Sequence, residues 1–205
     1  FWKILMKQSV NAINNKIYQI PSVLDDSRNL DDFLERNSGK KVIVVQGLGF
    51  VGAVMALVCA NSFGEDYAVI GIDLPNENTY WKIKSINEGI FPLVADDPKI
   101  DQFFQNSIKK GNFYATYDTS AYKFADIVIV DINLDVQKNS NKDRTLENFN
   151  VDLTGFKAAM ASVGSNCKEN VLILVETTVP PGTCELVVKP IIEEQLLKRN
   201  QFANI

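Results

Sequence analysis

A run of β-branched residues that breaks into glycines constrains this chain more than any other feature. Lys41-Val42-Ile43-Val44-Val45 carries no polar residue after its first position, the texture of a strand buried on both faces of a sheet. One residue later comes Gly47-Leu48-Gly49-Phe50-Val51-Gly52. Residues 53–61 then continue as an apolar helical run, and residues 67–73 form a second apolar strand that closes on an acid, Asp73. Strand, turn, helix and strand make one βαβ unit.

The rest of the chain alternates in the same way. Asp97-Pro98 starts a helix with Ile100, Phe103, Phe104 and Ile108 on one face, and Gly111 stops it. A short strand is expected over 113–117 and a buried one over Asp126-Ile127-Val128-Ile129-Val130-Asp131. Residues 135–150 read as a polar loop. Residues 153–163 read as a helix with Phe156, Ala159, Met160 and Val163 facing inward, and 171–175 as a further strand. A final helix over 182–199 is expected to bend at Pro190. This alternation predicts an α/β fold: a Rossmann-type doubly wound parallel sheet with helices on both faces. It occupies residues 41–205. Residues 1–40 precede it as a short, partly helical extension. There Val10, Ile13, Ile17 and Tyr18 fit one helical face, a helical piece surrounds 30–34, and Asn37-Ser38-Gly39 is a loop.

Each glycine of the 47–52 pattern has a physical task. The first permits the tight turn out of the strand, the second lets the backbone approach a pyrophosphate, and the third lets helix and strand pack closely. The helix then directs its free N–H groups, with roughly half an elementary positive charge, at the phosphates. The pattern alone is weakly specific, and its context makes it informative. Asp73 lies about 20 positions beyond Gly52 at the end of the next strand, where a carboxylate accepts from the adenosine ribose hydroxyls and repels a 2′-phosphate. The expected cofactor is therefore NAD rather than NADP.

Composition excludes several other classes. The net charge is −4 and the isoelectric point about 5.0, which argues against a nucleic-acid partner. The chain has no histidine, so a His base, a His metal ligand and a Ser-His-Asp triad are all excluded within it. No metal site is expected. Cys59, Cys167 and Cys184 show no paired spacing and read as reduced thiols of a cytoplasmic protein, Cys59 in the core. The longest apolar run, residues 50–60, is too short to span a bilayer, so no membrane partner is expected. The start, Phe1-Trp2-Lys3-Ile4-Leu5-Met6, is a poor signal peptide, and a first residue other than Met reads as a fragment.

After the strand at 171–175 comes Glu176-Thr177-Thr178-Val179-Pro180-Pro181-Gly182-Thr183. In a parallel sheet this is the carboxyl edge, where ligands bind. Thr177 and Thr178 offer hydroxyls to a nicotinamide amide, a water or a substrate hydroxyl, and Thr183 is placed to cap the last helix. With this turn the chain resembles the UDP-glucose/GDP-mannose dehydrogenases over most of residues 41–200. The resemblance rests on Gly47-Leu48-Gly49-Phe50-Val51-Gly52, Asp73, Asn87-Glu88-Gly89-Ile90-Phe91-Pro92, Ala125-Asp126-Ile127-Val128-Ile129-Val130 and above all Thr178-Val179-Pro180-Pro181-Gly182-Thr183.

The resemblance implies an oxidoreductase that takes the C6 alcohol of a nucleotide sugar to a carboxylate with two NAD and a cysteine-bound intermediate. It implies that Gly47, Gly49, Phe50, Val51, Gly52 and Asp73 bind NAD, and that Thr178 lies by the nicotinamide and positions a water. It also implies polysaccharide biosynthesis, with the full-length protein a homodimer or higher oligomer. Asn133-Leu134-Asp135 departs from the family's usual Pro-Thr-Pro. The family's catalytic Glu, Lys, Asn and Cys lie downstream of this chain, and none of its three cysteines matches the nucleophile motif. Two alternatives remain open at this point. A β-hydroxyacid-type NAD dehydrogenase has a similar first domain but typically shows Asp-x-Ser-Thr where this chain has its Thr-Val-Pro-Pro-Gly-Thr. A non-catalytic NAD-binding module would bind the cofactor and do no chemistry.

Overall fold

The computed structural model describes residues 7–134 and 136–202. Phe1 to Met6, read above as a poor signal peptide, and Asp135 of the departure from Pro-Thr-Pro lie outside the described residues. The chain opens with two short antiparallel strands, β1 (Gln8–Val10) and β2 (Ile17–Gln19), with Ser9 opposite Tyr18. This corrects the helix expected from Val10, Ile13, Ile17 and Tyr18. Asn11 Oδ1 accepts from the N–H groups of Ile13 and Asn14, and Asn15 adopts a φ of 59°. A short polar side chain has offered the backbone a turn in place of a helix. Val10, Ile13 and Ile17 are exposed, and Tyr18 alone of the four is buried, with Ile20, Tyr80 and Trp81. The helix α1 (Ser27–Arg36) follows, longer than expected, and sends Leu30 and Phe33 into the main core.

The remaining elements run in order: β3 (Lys41–Gln46), α2 (Phe50–Ala60), β4 (Tyr67–Ile72), α3 (Tyr80–Asn87), α4 (Pro98–Lys110), β5 (Phe113–Thr116), β6 (Ile127–Val130), β7 (Val136–Ser140), β8 (Leu146–Val151), α5 (Thr154–Asn166), β9 (Leu172–Val175) and α6 (Lys189–Lys198). Five of these strands form a sheet in the order β5-β4-β3-β6-β9, every pairing parallel. The expected doubly wound α/β fold is what is observed. Alternation along β3 shows why. Val42 and Val44 face one core with Phe156, Met160 and Val163 of α5 and Ile192 and Leu196 of α6. Ile43 and Val45 face the other, with Ala53 and Leu57 of α2, Ile83 and Ile86 of α3 and Phe104 of α4.

The local signals around α4 act as read. The Asp97 carboxylate accepts from the Lys99 N–H at 2.9 Å, Pro98 sits in the first turn, and Gly111 ends the helix at φ 64°. Two expectations are corrected. Where a polar loop was expected over 135–150, the described residues from 136 onward form a hairpin: β7 and β8 pair antiparallel, with Val136 opposite Val151. Asn141 closes that hairpin by accepting from the Asp143 and Thr145 N–H groups. The strand expected over 171–175 is present and lies at the edge of the sheet, with Leu172 and Leu174 52% and 39% exposed. The last helix begins with a π-helical turn, Cys184–Val188, before α6. Pro190 has no N–H to donate, and the wider turn ahead of it absorbs that loss. Cys59 is partly buried against the second core, Cys167 is buried and Cys184 is exposed; all three are free thiols.

The extension is fastened to the segment that follows β4. The Ser9 hydroxyl donates to the Glu77 carbonyl at 2.7 Å and accepts from the Trp81 N–H at 3.0 Å. Asn11 Nδ2 donates to Ser85 Oγ at 2.9 Å, and the Tyr18 hydroxyl donates to the Glu88 carboxylate. These bonds hold α3 in place behind Asp73. Among the described residues no helix is long and apolar enough to cross a membrane.

Candidate functional site

Because the strands are parallel, their carboxyl ends share one edge of the sheet. Four segments gather there: the glycine turn after β3, Asp73 after β4, Asp131–Leu134 after β6 and Glu176–Thr178 after β9. The strand order reverses between β3 and β6, and such a switch point opens a crevice for ligands at the carboxyl edge.

The glycine turn is shaped by contacts that no side chain could survive. Gly47 has φ 100°, and a Cβ there would fall 2.0 Å from the Asp131 carbonyl oxygen. A Cβ on Gly52 would fall 2.0 Å from the Gly47 carbonyl oxygen. Gly49 differs: nothing lies within 4 Å of its missing Cβ. It is the N-cap of α2, in extended conformation and with no side-chain cap, so the first N–H groups of the helix have no partner within it. Phe50 and Val51 are exposed beside this opening. Leu48 points the other way, fully buried, and occupies the space that a Gly71 Cβ would need, 2.5 Å from its Cδ2.

Asp73 joins the second strand to this turn. Its Oδ2 accepts from the Leu48 N–H at 3.2 Å and its Oδ1 from the Leu74 N–H at 2.8 Å. A carboxylate has about four acceptor sites, so two remain for a pair of ribose hydroxyls. Burial raises its pKa above the ordinary aspartate value, opposed by the two backbone N–H groups and by the charge of Lys82.

On the other side of the switch point, Thr177 is buried. Its Oγ1 accepts from the Ile132 N–H at 2.8 Å and donates to the Val130 carbonyl at 3.3 Å, stapling the ends of β6 and β9 together. It is therefore committed to the scaffold. Thr178 is exposed at the same edge. Thr183 is buried and does not cap the following helix: its hydroxyl donates to the Pro180 carbonyl at 2.7 Å, closing the proline turn on itself. Sequence reading missed three contributors here: Gly71, which makes room for Leu48; Thr177 as a staple; and Asp131, which underlies the glycine turn. These three roles have no motif, since they depend on which strand lies next to which.

The opening fits a dinucleotide pyrophosphate on its own geometry. Open space lies above Gly49, unpaired helix N–H groups border it, no acid stands in the first turn of α2, and Asp73 waits one strand away. Comparison with known proteins agrees. Residues 41–204 match the model of the UDP-glucose/GDP-mannose dehydrogenase family, NAD binding domain. GDP-mannose 6-dehydrogenase of Pseudomonas savastanoi pv. phaseolicola is 30% identical over 156 residues, covering 74% of this chain and 32% of that protein. UDP-N-acetyl-D-mannosamine dehydrogenase of Pyrococcus horikoshii is 26% identical over 147 residues, 72% of this chain and 31% of that protein. Among solved structures, NDP-N-acetyl-D-galactosaminuronic acid dehydrogenase of Methanosarcina mazei superposes with a TM-score of 0.64 at 28% identity, covering 81% of this chain and 33% of that one. The chain thus spans about a third of the length of the relatives it matches. The match does not favour a β-hydroxyacid-type enzyme. The chain belongs to the UDP-glucose/GDP-mannose dehydrogenase family, as its NAD-binding domain.

Proposed function

We propose that this chain is the cofactor-holding part of a nucleotide-sugar 6-dehydrogenase that converts a UDP- or GDP-linked sugar alcohol to the uronate. The observation that carries the reading is the glycine turn with Asp73 bonded to its Leu48 N–H, inside a family match over residues 41–204. NAD, when bound, supplies the hydride acceptor. Gly47, Gly49 and Gly52 shape the pyrophosphate cradle, Phe50 and Val51 present their N–H groups to it, and Asp73 takes the adenosine ribose. Thr178, exposed beyond β9, stands on the nicotinamide side and orients a water or the substrate hydroxyl. The names of the relatives, GDP-mannose 6-dehydrogenase and UDP-N-acetyl-D-mannosamine dehydrogenase, support a nucleotide sugar as substrate. The same names support a place in polysaccharide precursor synthesis; a cytoplasmic location and a homodimer or higher oligomer of the full-length protein belong to the proposal and rest on the sequence alone.

The polypeptide of these 205 residues binds NAD and oxidises no sugar by itself. The test is NADH formation by the full-length protein with GDP-mannose, UDP-glucose and UDP-N-acetylmannosamine, beside the same assay on this chain. Turnover of one sugar by the full-length protein alone is the expected result. NAD binding without turnover of any nucleotide sugar would favour a non-catalytic module. Steady turnover by this chain would overturn the division of labour.

Asp73→Ala is expected to weaken NAD by about one to two orders of magnitude, since a charge-assisted hydrogen bond contributes about 1.5–3 kcal/mol. The same variant should gain on NADP relative to NAD, because the charge that repels a 2′-phosphate is gone. Paired calorimetric titrations check this, and an unchanged ratio of the two affinities would refute it.

A further inference from the structure

Asp131 follows β6 directly and lies against the glycine turn. Its N–H donates to the Gln46 carbonyl at 2.8 Å, and its own carbonyl is the atom a Gly47 Cβ would strike. Its Cβ lies 3.4 Å from the place a Gly52 Cβ would occupy, which puts the carboxyl under the first turn of α2. There Oδ2 is buried and finds no hydrogen-bond partner. A carboxylate in that position competes with a phosphate for the positive end of the same helix.

The surroundings offer no counter-charge. From β3 comes Gln46, whose side chain is taken by the Tyr122 hydroxyl. The turn and first helical residues, Gly47 to Gly52, hold no titratable group. On the β9 side Ile132 is bonded to Thr177, with the exposed Glu176 before it. Beyond β3, at the end of β4, stands Asp73. Burial alone moves the Asp131 carboxyl, upward from the ordinary aspartate value.

Resting on the NAD reading above, we propose that Asp131 is the acidic floor of the pyrophosphate site and takes up a proton when NAD binds. Two phosphate charges arriving over a carboxylate whose Oδ2 is shut off from solvent favour its neutral form, as like charges do in any shared site. The neutral acid removes the repulsion and gains an O–H to donate. By linkage, NAD affinity is full at pH values below the free carboxyl's pKa. It falls as pH rises through the window between the free and bound pKa values, and levels off above the latter. Asp73 has the opposite sign: ribose hydroxyls stabilise its ionised form, so that group releases a proton on binding.

The experiment is calorimetric titration of the chain with NAD from about pH 5 to about pH 9, each point in two buffers of different ionisation enthalpy, so that proton uptake is counted directly. Wild type, Asp131→Asn and Asp73→Asn are compared, with thermal unfolding of each to show that it is folded. For wild type we expect net proton uptake and a Kd that rises by up to about tenfold per pH unit across the window. Asp131→Asn should show no uptake, a Kd that no longer rises with pH, and tighter binding than wild type at the alkaline end, and Asp73→Asn should keep the uptake. Uptake that persists in Asp131→Asn, or wild-type binding with no uptake, overturns the role of Asp131 and leaves NAD binding intact. Failure of wild type to bind NAD at any pH overturns both.

Discussion

Gly52→Ala should cost this chain its fold around α2 and its cofactor together, whereas Gly49→Ala should cost the cofactor alone. At Gly52 the added methyl would lie 2.0 Å from the Gly47 carbonyl oxygen and 3.1 Å from its carbon. Both are backbone atoms held by the sheet, the Gly47 N–H being bonded to the Ile72 carbonyl at 2.8 Å. Neither can rotate aside, so α2 must lift from β3 and open the core where Ala53, Ala56 and Leu57 are buried. A change of this kind falls in the class that destabilises by upwards of about 4 kcal/mol. At Gly49 the methyl meets nothing within 4 Å and φ is −71°, which alanine adopts freely. The methyl instead occupies the space through which a phosphate reaches the helix N–H groups. NAD affinity should drop by about two orders of magnitude or more at unchanged stability. Denaturant midpoints and NAD titrations of the two variants separate the effects. Equal denaturant midpoints for the pair, or an NAD affinity unchanged in Gly49→Ala, would contradict this account of the turn.

Phe156→Ala is expected to have the other large effect, on stability. The ring is fully buried on α5 and packs with Val44, Val128 and Ile192 on the face of the sheet away from α2. Its removal leaves a cavity in that core, worth about 3–5 kcal/mol out of a total that for such domains is about 5–15 kcal/mol. The lesion lies in the core that does not carry the glycine turn. NAD affinity measured where the variant is still folded should therefore be close to wild type. A midpoint shift of less than about 1 kcal/mol would mean that the two faces do not divide the core as described.

Both predictions separate scaffold from site, and the sequence was legible along the same division. The strand-glycine-helix-strand unit, Asp73 and the caps of α4 could be read because each depends on residues within one turn or one strand of one another. Period and punctuation capture such local physics. The 10–18 segment could not. Its apolar spacing fits a helix, but the side chain of Asn11 closes a turn, and the helical stripe ends up exposed. The 136–151 hairpin was hidden for the opposite reason. The first strand, Val136-Gln137-Lys138-Asn139-Ser140, is mostly polar, so no alternation marks it, and backbone pairing and the Asn141 turn hold the hairpin. The edge position of β9 follows from sheet order, which β-branched texture does not encode. At the site, the cofactor side of the crevice was legible from the glycines. Thr177 and Asp131 were not, because their roles arise from β3, β6 and β9 lying side by side, through contacts 45 or more residues apart in sequence.

The central claim is that this chain holds NAD through its glycine turn and selects it with Asp73. It is tested most directly by calorimetric titration of the purified 205-residue chain with NAD and with NADP under identical conditions. The account predicts saturable one-to-one binding of NAD and affinity for NADP lower by about tenfold or more, the cost of a phosphate set against the Asp73 carboxylate. Binding of neither dinucleotide, or NADP bound as tightly as NAD, would contradict it.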